Sequence, residues 1–199
     1  MSAPDVVIIG SGGANLASLH FALERLGAVS HLSADPEVIA AAPRLMLPGV
    51  GAAADGMNRL RESGLDEAIR AARQPLLGIC LGMQLLYEHS EEGDAPGLGV
   101  APGTVRRISA APDRPVPHMG WNTCRSLHAD PLFAGIGAED YFYFVHSYAA
   151  AITACTSAAV DYGMPWSAAM RCENFCGVQF HPERSGRAGA RLLRNFLEL

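Results

Sequence analysis

No apolar run in the chain approaches the roughly 18–20 residues that a membrane span needs. The first apolar segment, Val6 to Gly10, is too short for the core of a signal peptide and lacks a basic flank before it. No dense Lys/Arg cluster occurs either. Fifteen basic side chains stand against 20 acidic ones, for a formal net charge of −5. Nucleic-acid affinity rests on neutralising phosphates, so this balance argues against a nucleic-acid partner. Cysteine is scarce: five residues, an odd number, without paired short spacings, which argues against a disulfide framework. No repeat, low-complexity tract or linker interrupts the chain. These absences predict a soluble, cytoplasmic protein with no membrane partner, and one domain over residues 1–199. With 49% hydrophobic residues, that length suffices for a sizeable core.

The first half alternates strand and helix signals. Val6-Val7-Ile8-Ile9 reads as a buried strand and Ser11-Gly12-Gly13 as a turn. Asn15 to Leu26 carries Leu16, Leu19, Leu23 and Leu26 on one helical stripe. A weak strand over Ala28 to Leu32, a short helix over Pro36 to Ala42 and a strand over Arg44 to Leu47 follow, the last ended by Pro48-Gly49-Val50-Gly51. Met57 to Gly64 and Leu65 to Arg73 are helical, Leu76 to Ile79 is a strand, and Met83 to His89 has helical composition. The alternation predicts an α/β fold: a doubly wound, mixed, mostly parallel sheet flanked by helices, flavodoxin-like in layout. In the second half, short apolar pieces with Gly and Pro give way to antiparallel strands over Tyr141 to Tyr148, Ile152 to Val160 and Trp166 to Phe180. A closing helix spans Ala188 to Leu199. One mixed sheet is the simplest account.

Gly78-Ile79-Cys80-Leu81-Gly82 places a cysteine between a short apolar strand and a helix. A free thiol has a pKa of roughly 8.5 and needs an activating neighbour to be thiolate at neutral pH. A strand-to-helix elbow lifts the side chain clear of the sheet, at a helix N-terminus whose dipole favours the anion. Flanking glycines let the backbone pass closely. The same turn aims the Leu81 N–H at a developing oxyanion. Downstream, Phe180-His181-Pro182-Glu183 sets a base and a carboxylate two positions apart, on one face of an extended segment. A lone apolar-flanked cysteine is ordinarily an inert buried residue and a lone His-Pro-Glu a loop; the pair together predicts a Cys80–His181–Glu183 triad and an acyl-thioester route.

Other patterns are weaker. Gly10-Ser11-Gly12-Gly13 fails the dinucleotide fingerprint because Asn15 holds the third glycine position. Cys172-x-x-x-Cys176 before His181 resembles part of a zinc site, but no fourth ligand is evident and the cysteines flank a Glu173-Asn174 turn. No metal and no cofactor are expected. His118 and His146 read as core hydrogen-bonding groups, and Arg187, Arg191 and Arg194 as a solvated helix stripe.

Pro48-Gly49-Val50-Gly51, Cys80-Leu81-Gly82-Met83-Gln84 and Gly177-Val178-Gln179-Phe180-His181-Pro182-Glu183, in that order, resemble class I (triad) glutamine amidotransferases. Pro117-His118-Met119-Gly120-Trp121-Asn122 and Tyr143-Phe144-Val145-His146-Ser147-Tyr148 narrow the resemblance to the glutaminase subunits of imidazole glycerol phosphate synthase. The resemblance covers nearly the whole chain. It implies that Cys80 attacks glutamine, that His181 shuttles the proton and that Glu183 orients His181. It places backbone N–H groups of Gly49, Val50 and Gly51 beside that of Leu81 at the oxyanion. It also places Gln84, with Ser147 and Tyr148, around the substrate. Ammonia would then pass to a barrel-shaped cyclase subunit in a heterodimer, with Asn15, Trp121 and Arg184 at the partner interface.

Two departures stand out. Gly13-Ala14-Asn15 interposes an alanine where the family commonly has Gly-Asn, and Arg184 stands where Lys commonly follows the Glu. Arg keeps the charge but presents a planar fork. The competing readings are an amidotransferase subunit of vitamin B6 or purine synthesis, a stand-alone cysteine hydrolase, and a catalytically dead binding module.

Overall fold

The computed structural model describes residues 4–10 and 16–199. The expected Ser11-Gly12-Gly13 turn and Asn15 lie outside the described residues. The first half runs β1 (Val6–Ile9), α1 (Leu16–Arg25), β2 (Ser30–Ser33), α2 (Pro36–Ala41), β3 (Leu45–Gly49), α3 (Ala53–Glu62), α4 (Leu65–Ala71), β4 (Leu76–Cys80) and α5 (Leu81–Leu85). Then come β5 (Tyr87–Ser90), β6 (Ala95–Pro96), β7 (Ala101–Arg107), β8 (His118–Thr123), β9 (Arg125–Ser126) and β10 (Tyr141–His146). The chain closes with β11 (Tyr148–Ala150), β12 (Thr156–Asp161), β13 (Pro165–Cys172), β14 (Phe175–Val178) and α6 (Gly186–Leu197).

Among the described residues the main sheet has the order β2-β1-β3-β4-β14-β13-β12-β9. Strands from β2 to β14 pair in parallel, and β13, β12 and β9 continue antiparallel. Central strands buried on both faces read as unbroken apolar runs, which is why Val6–Ile9 and Leu76–Cys80 show no polar alternation. Alternate residues feed two cores. Val6, Ile8, Leu77 and Ile79 join Leu19 and Leu23 of α1 and Leu192, Leu193 and Phe196 of α6. Val7, Ile9 and Leu76 join Ile39, Met57, Ile69 and Leu85 on the other face.

Several boundaries differ from the sequence expectation. β2 starts at Ser30 rather than Ala28, because the Ala28 N–H closes α1 by donating to the Leu23 carbonyl after Gly27 turns left-handed. β3 runs through Pro48 to Gly49, where it still pairs with Cys80. The helix expected over Met83 to His89 ends at Leu85, because the Leu85 and Leu86 carbonyls accept from Leu98, Val100 and Ala101; Tyr87–Ser90 becomes a strand. β12 begins at Thr156 because Thr153 and Thr156 bond each other across a turn. Trp166 to Phe180 splits at Glu173, whose φ is 55°. The expected mixed, mostly parallel sheet is present, but among the described residues β10-β8 and β11-β7-β5-β6 form two smaller sheets separate from it.

Candidate active site

β4 runs into α5 without a loop, so Cys80 is the joint. Its φ of 55° and ψ of −111° lie where a non-glycine residue costs roughly 1–3 kcal/mol. Packing holds it there. A Cβ on Gly82 would collide with the Leu47 carbonyl oxygen of β3, and one on Gly78 would sit 2.8 Å from the Gly82 carbonyl. Only glycine allows the helix start to lie this close to two strands. With five residues, α5 supplies a weaker dipole than the longer helix expected.

His181 and Glu183 follow β14, the parallel neighbour of β4, so they arrive beside Cys80 at the carboxyl end of the sheet. His181 Nδ1 lies 2.8 Å from Glu183 Oε1. The His181 backbone is pinned as well. Its N–H donates to the Tyr143 carbonyl of β10 at 2.9 Å, and the Ser185 hydroxyl donates to its carbonyl at 2.6 Å. Ser185 Oγ accepts from the Tyr143 N–H, tying the loop to β10 a second time. Burial disfavours an imidazolium here, but hydrogen bonds and charge from Cys80 and Glu183 outweigh it and push His181 up to about 10. The ring is thus cationic at neutral pH, beside the sulfur that must become an anion.

A cavity of about 480 Å³ holds Cys80 and His181 together with Val50, Gly51, Leu81, Gln84, Ser147 and Tyr148. Eight of the sequence-derived site residues therefore share one cavity. Glu183 and Gly49 lie behind it, around a small void of about 20 Å³ with Leu19, Pro48 and Ile79. Gly51 has a φ of 95°, a left-handed turn that glycine accommodates.

The readings of Gln84, His118 and His146 gain detail. Gln84, on α5, is buried, at 6% exposure. Its Nε2 donates to the Tyr148 carbonyl at 2.8 Å and to Gln179 Oε1 at 3.0 Å. His146 Nδ1, 2.9 Å from the same carbonyl, is its protonated nitrogen, which leaves Nε2 to accept from His118 Nδ1–H at 3.1 Å. Burial lowers His146 to about 3 and His118 to about 4, so both rings are neutral.

Sequence reasoning missed Gln179, Glu92 and Ser185. Gln179 is fully buried, with Nε2 3.8 Å from Cys80 Sγ. A glutamine inside an apolar strand run, two residues before the histidine, was the available signal. Glu92 lines the cavity, and its Oε2 accepts from the Ala53 N–H at 2.9 Å. Nothing in its Glu91-Glu92-Gly93 context marks it. The partial zinc pattern dissolves: Cys176 packs in the core on one face of the sheet and Cys172 against the core on the other.

The hairpin-like pair β8 and β10 borders the cavity through Val145. Its inward residues are His118, Phe142, Phe144 and His146, all buried. Its outward ones are Met119, Trp121 and Tyr141, at 65%, 56% and 54% exposure. Arg184, also exposed, stacks its guanidinium 5.1 Å from the Tyr143 ring centre.

Residues 7–199 match the family Glutamine amidotransferase class-I. The chain is 52% identical over 195 residues to the imidazole glycerol phosphate synthase subunit HisH of Xanthomonas euvesicatoria, and 51% identical to that of Xylella fastidiosa Temecula1; 98% of each chain is covered. HisH of Vibrio cholerae is 51% identical over 201 residues, again with 98% of both chains covered. Among solved structures, one described as a glutamine amidotransferase superposes with a TM-score of 0.75 at 23% identity, with 97% of each chain covered. A chain of PurLQS from Thermotoga maritima gives 0.72 at 17%, with 99% of each covered; these two bear on the fold alone. The chain belongs to the class I glutamine amidotransferase family.

Proposed function

We infer that the chain hydrolyses glutamine to glutamate and ammonia and supplies the ammonia to a cyclase subunit, the two together forming an imidazole glycerol phosphate synthase of histidine biosynthesis. The observation that carries this is the pocket itself: Cys80 on a strained elbow with His181 and Glu183 at 2.8 Å from each other, in a chain half identical to HisH subunits along almost its whole length. Residues 1–199 act as one amidotransferase domain.

Cys80 Sγ attacks the side-chain amide carbon of glutamine as a thiolate paired with the His181 imidazolium. The carbonyl electron pair moves to oxygen, where N–H groups of the Gly49–Gly51 segment and of Leu81 receive it. His181 Nε2–H protonates the amide nitrogen, the C–N bond breaks and ammonia leaves. Neutral His181 then takes a proton from water, whose oxygen attacks the thioester. Glutamate departs and the thiolate–imidazolium pair is restored. Glu183 keeps the ring oriented throughout. Glu92 faces the α-ammonium of the substrate, a pairing of opposite charges. Gln84 keeps the Tyr148 carbonyl in place at the substrate's edge.

The exposed face of β8 and β10 docks the cyclase, with Trp121 as its aromatic anchor and Arg184 at its edge. Asn15 completes the contact on the reading by resemblance. The face adjoins the pocket through Val145, so ammonia leaves towards the partner. The cyclase combines ammonia with a phosphoribulosyl-formimino ribonucleotide and releases imidazole glycerol phosphate and an aminoimidazole carboxamide ribonucleotide.

Glutamate release tests the proposal, measured on the isolated chain, on its complex with the cyclase and on the complex saturated with the cyclase's nucleotide. A flip that brings one N–H of Gly49–Gly51 to the oxyanion is worth about a hundred- to thousandfold. Slow release alone and release faster by that order in the loaded complex are expected. Equal rates in all three states would mean an independent glutaminase.

A further inference from the structure

Two cysteines outside the active site touch. Sγ of Cys155 lies 2.7 Å from Sγ of Cys172, roughly 0.7 Å more than a covalent S–S bond of about 2.05 Å. Both side chains are partly exposed. The backbone keeps them together: the Arg171 N–H donates to the Cys155 carbonyl at 2.8 Å, and Thr156 pairs with Met170. Cys155 is the residue immediately before β12, and Cys172 ends β13. We propose that Cys155 and Cys172 form a thiol pair that closes to a disulfide when it meets a small-molecule disulfide oxidant, stapling the β11–β12 connection to the end of β13.

The other cysteines are placed differently. Cys124 and Cys176 are buried, and burial pushes Cys176 up to about 12. Cys172 pairs with Phe175, which pairs with Leu76 at the start of β4; Cys80 ends that strand. The thiol pair therefore sits at the opposite end of the sheet from the nucleophile, and closing it leaves the pocket untouched. Burial and the contact with Cys155 push Cys172 up to about 11, so its thiol keeps its proton until the second step. The Cys155 thiolate attacks one sulfur of the oxidant R–S–S–R, forming a mixed disulfide and releasing RS⁻. Cys172, deprotonated in the second step, displaces the remaining RS⁻. Two protein thiols lose two protons and two electrons; one R–S–S–R becomes two RSH.

The test uses the Cys80→Ser chain, so that the nucleophile does not consume oxidant, with oxidised glutathione as the probe. Mass spectrometry after non-reducing trypsin digestion should find the peptide carrying Cys155 joined to the peptide carrying Cys172. The link should vanish in Cys155→Ser and in Cys172→Ser. The thermal midpoint should rise by roughly 5 °C on oxidation, and not in either serine variant. Serine is close to isosteric with cysteine, and the reduced midpoints of the variants show that they fold. Glutathione carried separately on Cys155 and Cys172, or both thiols left free, would overturn the proposal.

Discussion

The amide of Gln179 stands between Gln84 and the nucleophile: its Oε1 accepts from Gln84 Nε2 at 3.0 Å, which turns its Nε2 towards Cys80 Sγ at 3.8 Å. A donor held against sulfur stabilises the anion, and Gln84 fixes which end of the amide faces it. Gln179→Leu removes the donor while keeping most of the volume. It should lower kcat/KM for glutamine about tenfold, the size of one hydrogen bond of about 1–1.5 kcal/mol. Unchanged steady-state kinetics in this variant would show that the amide serves packing only.

Base and carboxylate should differ in effect. His181→Ala removes the group that moves protons and should approach the near-complete loss expected of Cys80→Ser. Glu183→Ala leaves the ring in place, held by the Tyr143 and Ser185 bonds to its backbone, and should keep more activity. The double variant should match His181→Ala, because members of one catalytic unit are not additive. Single-turnover glutamate release measures all three; near-normal turnover in His181→Ala would refute the triad.

A glutamine-analogue electrophile should label Cys80 alone, because it reacts where it binds and none of the other four cysteines, Cys155 included, lines the pocket. Cys124 and Cys176 are buried with raised proton affinity, and the partly exposed Cys172 is held protonated to about 11. Peptide mapping reads the site; label on Cys124 or Cys172 with Cys80 free would reject the assignment.

Gly82→Ala should destabilise the chain by about 3 kcal/mol, at the upper end for overpacking, because the added methyl meets the Leu47 carbonyl rather than a flexible side chain. Urea unfolding with an unchanged slope checks it. A stability within about 0.5 kcal/mol of wild type would mean that α5 shifts freely against β3.

Two sets of histidines should give stability opposite pH dependences. His181 is raised from 6.5 to about 10, so its contribution is complete below about pH 6.5 and is lost as pH rises through about 10. His118 and His146 are lowered to about 4 and about 3, so the unfolded chain binds their protons first. Their contribution is present above about pH 6.5 and is lost as pH falls towards 3. Thermal midpoints across pH 3.5 to 10 should show both flanks. His146→Asn, which keeps a donor for the Tyr148 carbonyl, should flatten the acid flank and leave the alkaline one. An acid flank as steep as in wild type would assign it to carboxylates instead.

The elbow, the His-x-Glu pair and the parallel half of the sheet were legible in the sequence because local rules set them. An apolar run ending in Gly-x-Cys-x-Gly specifies its own turn, and side chains two apart on an extended segment share a face wherever the segment lies. Gln179 and Glu92 were not legible. Gln179 matters because β14 lies next to β4, a pairing between segments about a hundred residues apart. Glu92 reaches the pocket because the chain turns into β5 and β6 after a helix that Leu85 and Leu86 end by accepting long-range bonds. The contact of Cys155 with Cys172 likewise follows from strand register, and the same register puts Cys172 and Cys176 on opposite faces. Residue identity alone thus determined the chemistry that Cys80, His181 and Glu183 perform. Which amides and carboxylates surround them, and which cysteines meet, was decided by tertiary pairing, whose contacts depend on sheet order and register rather than on spacing along the chain.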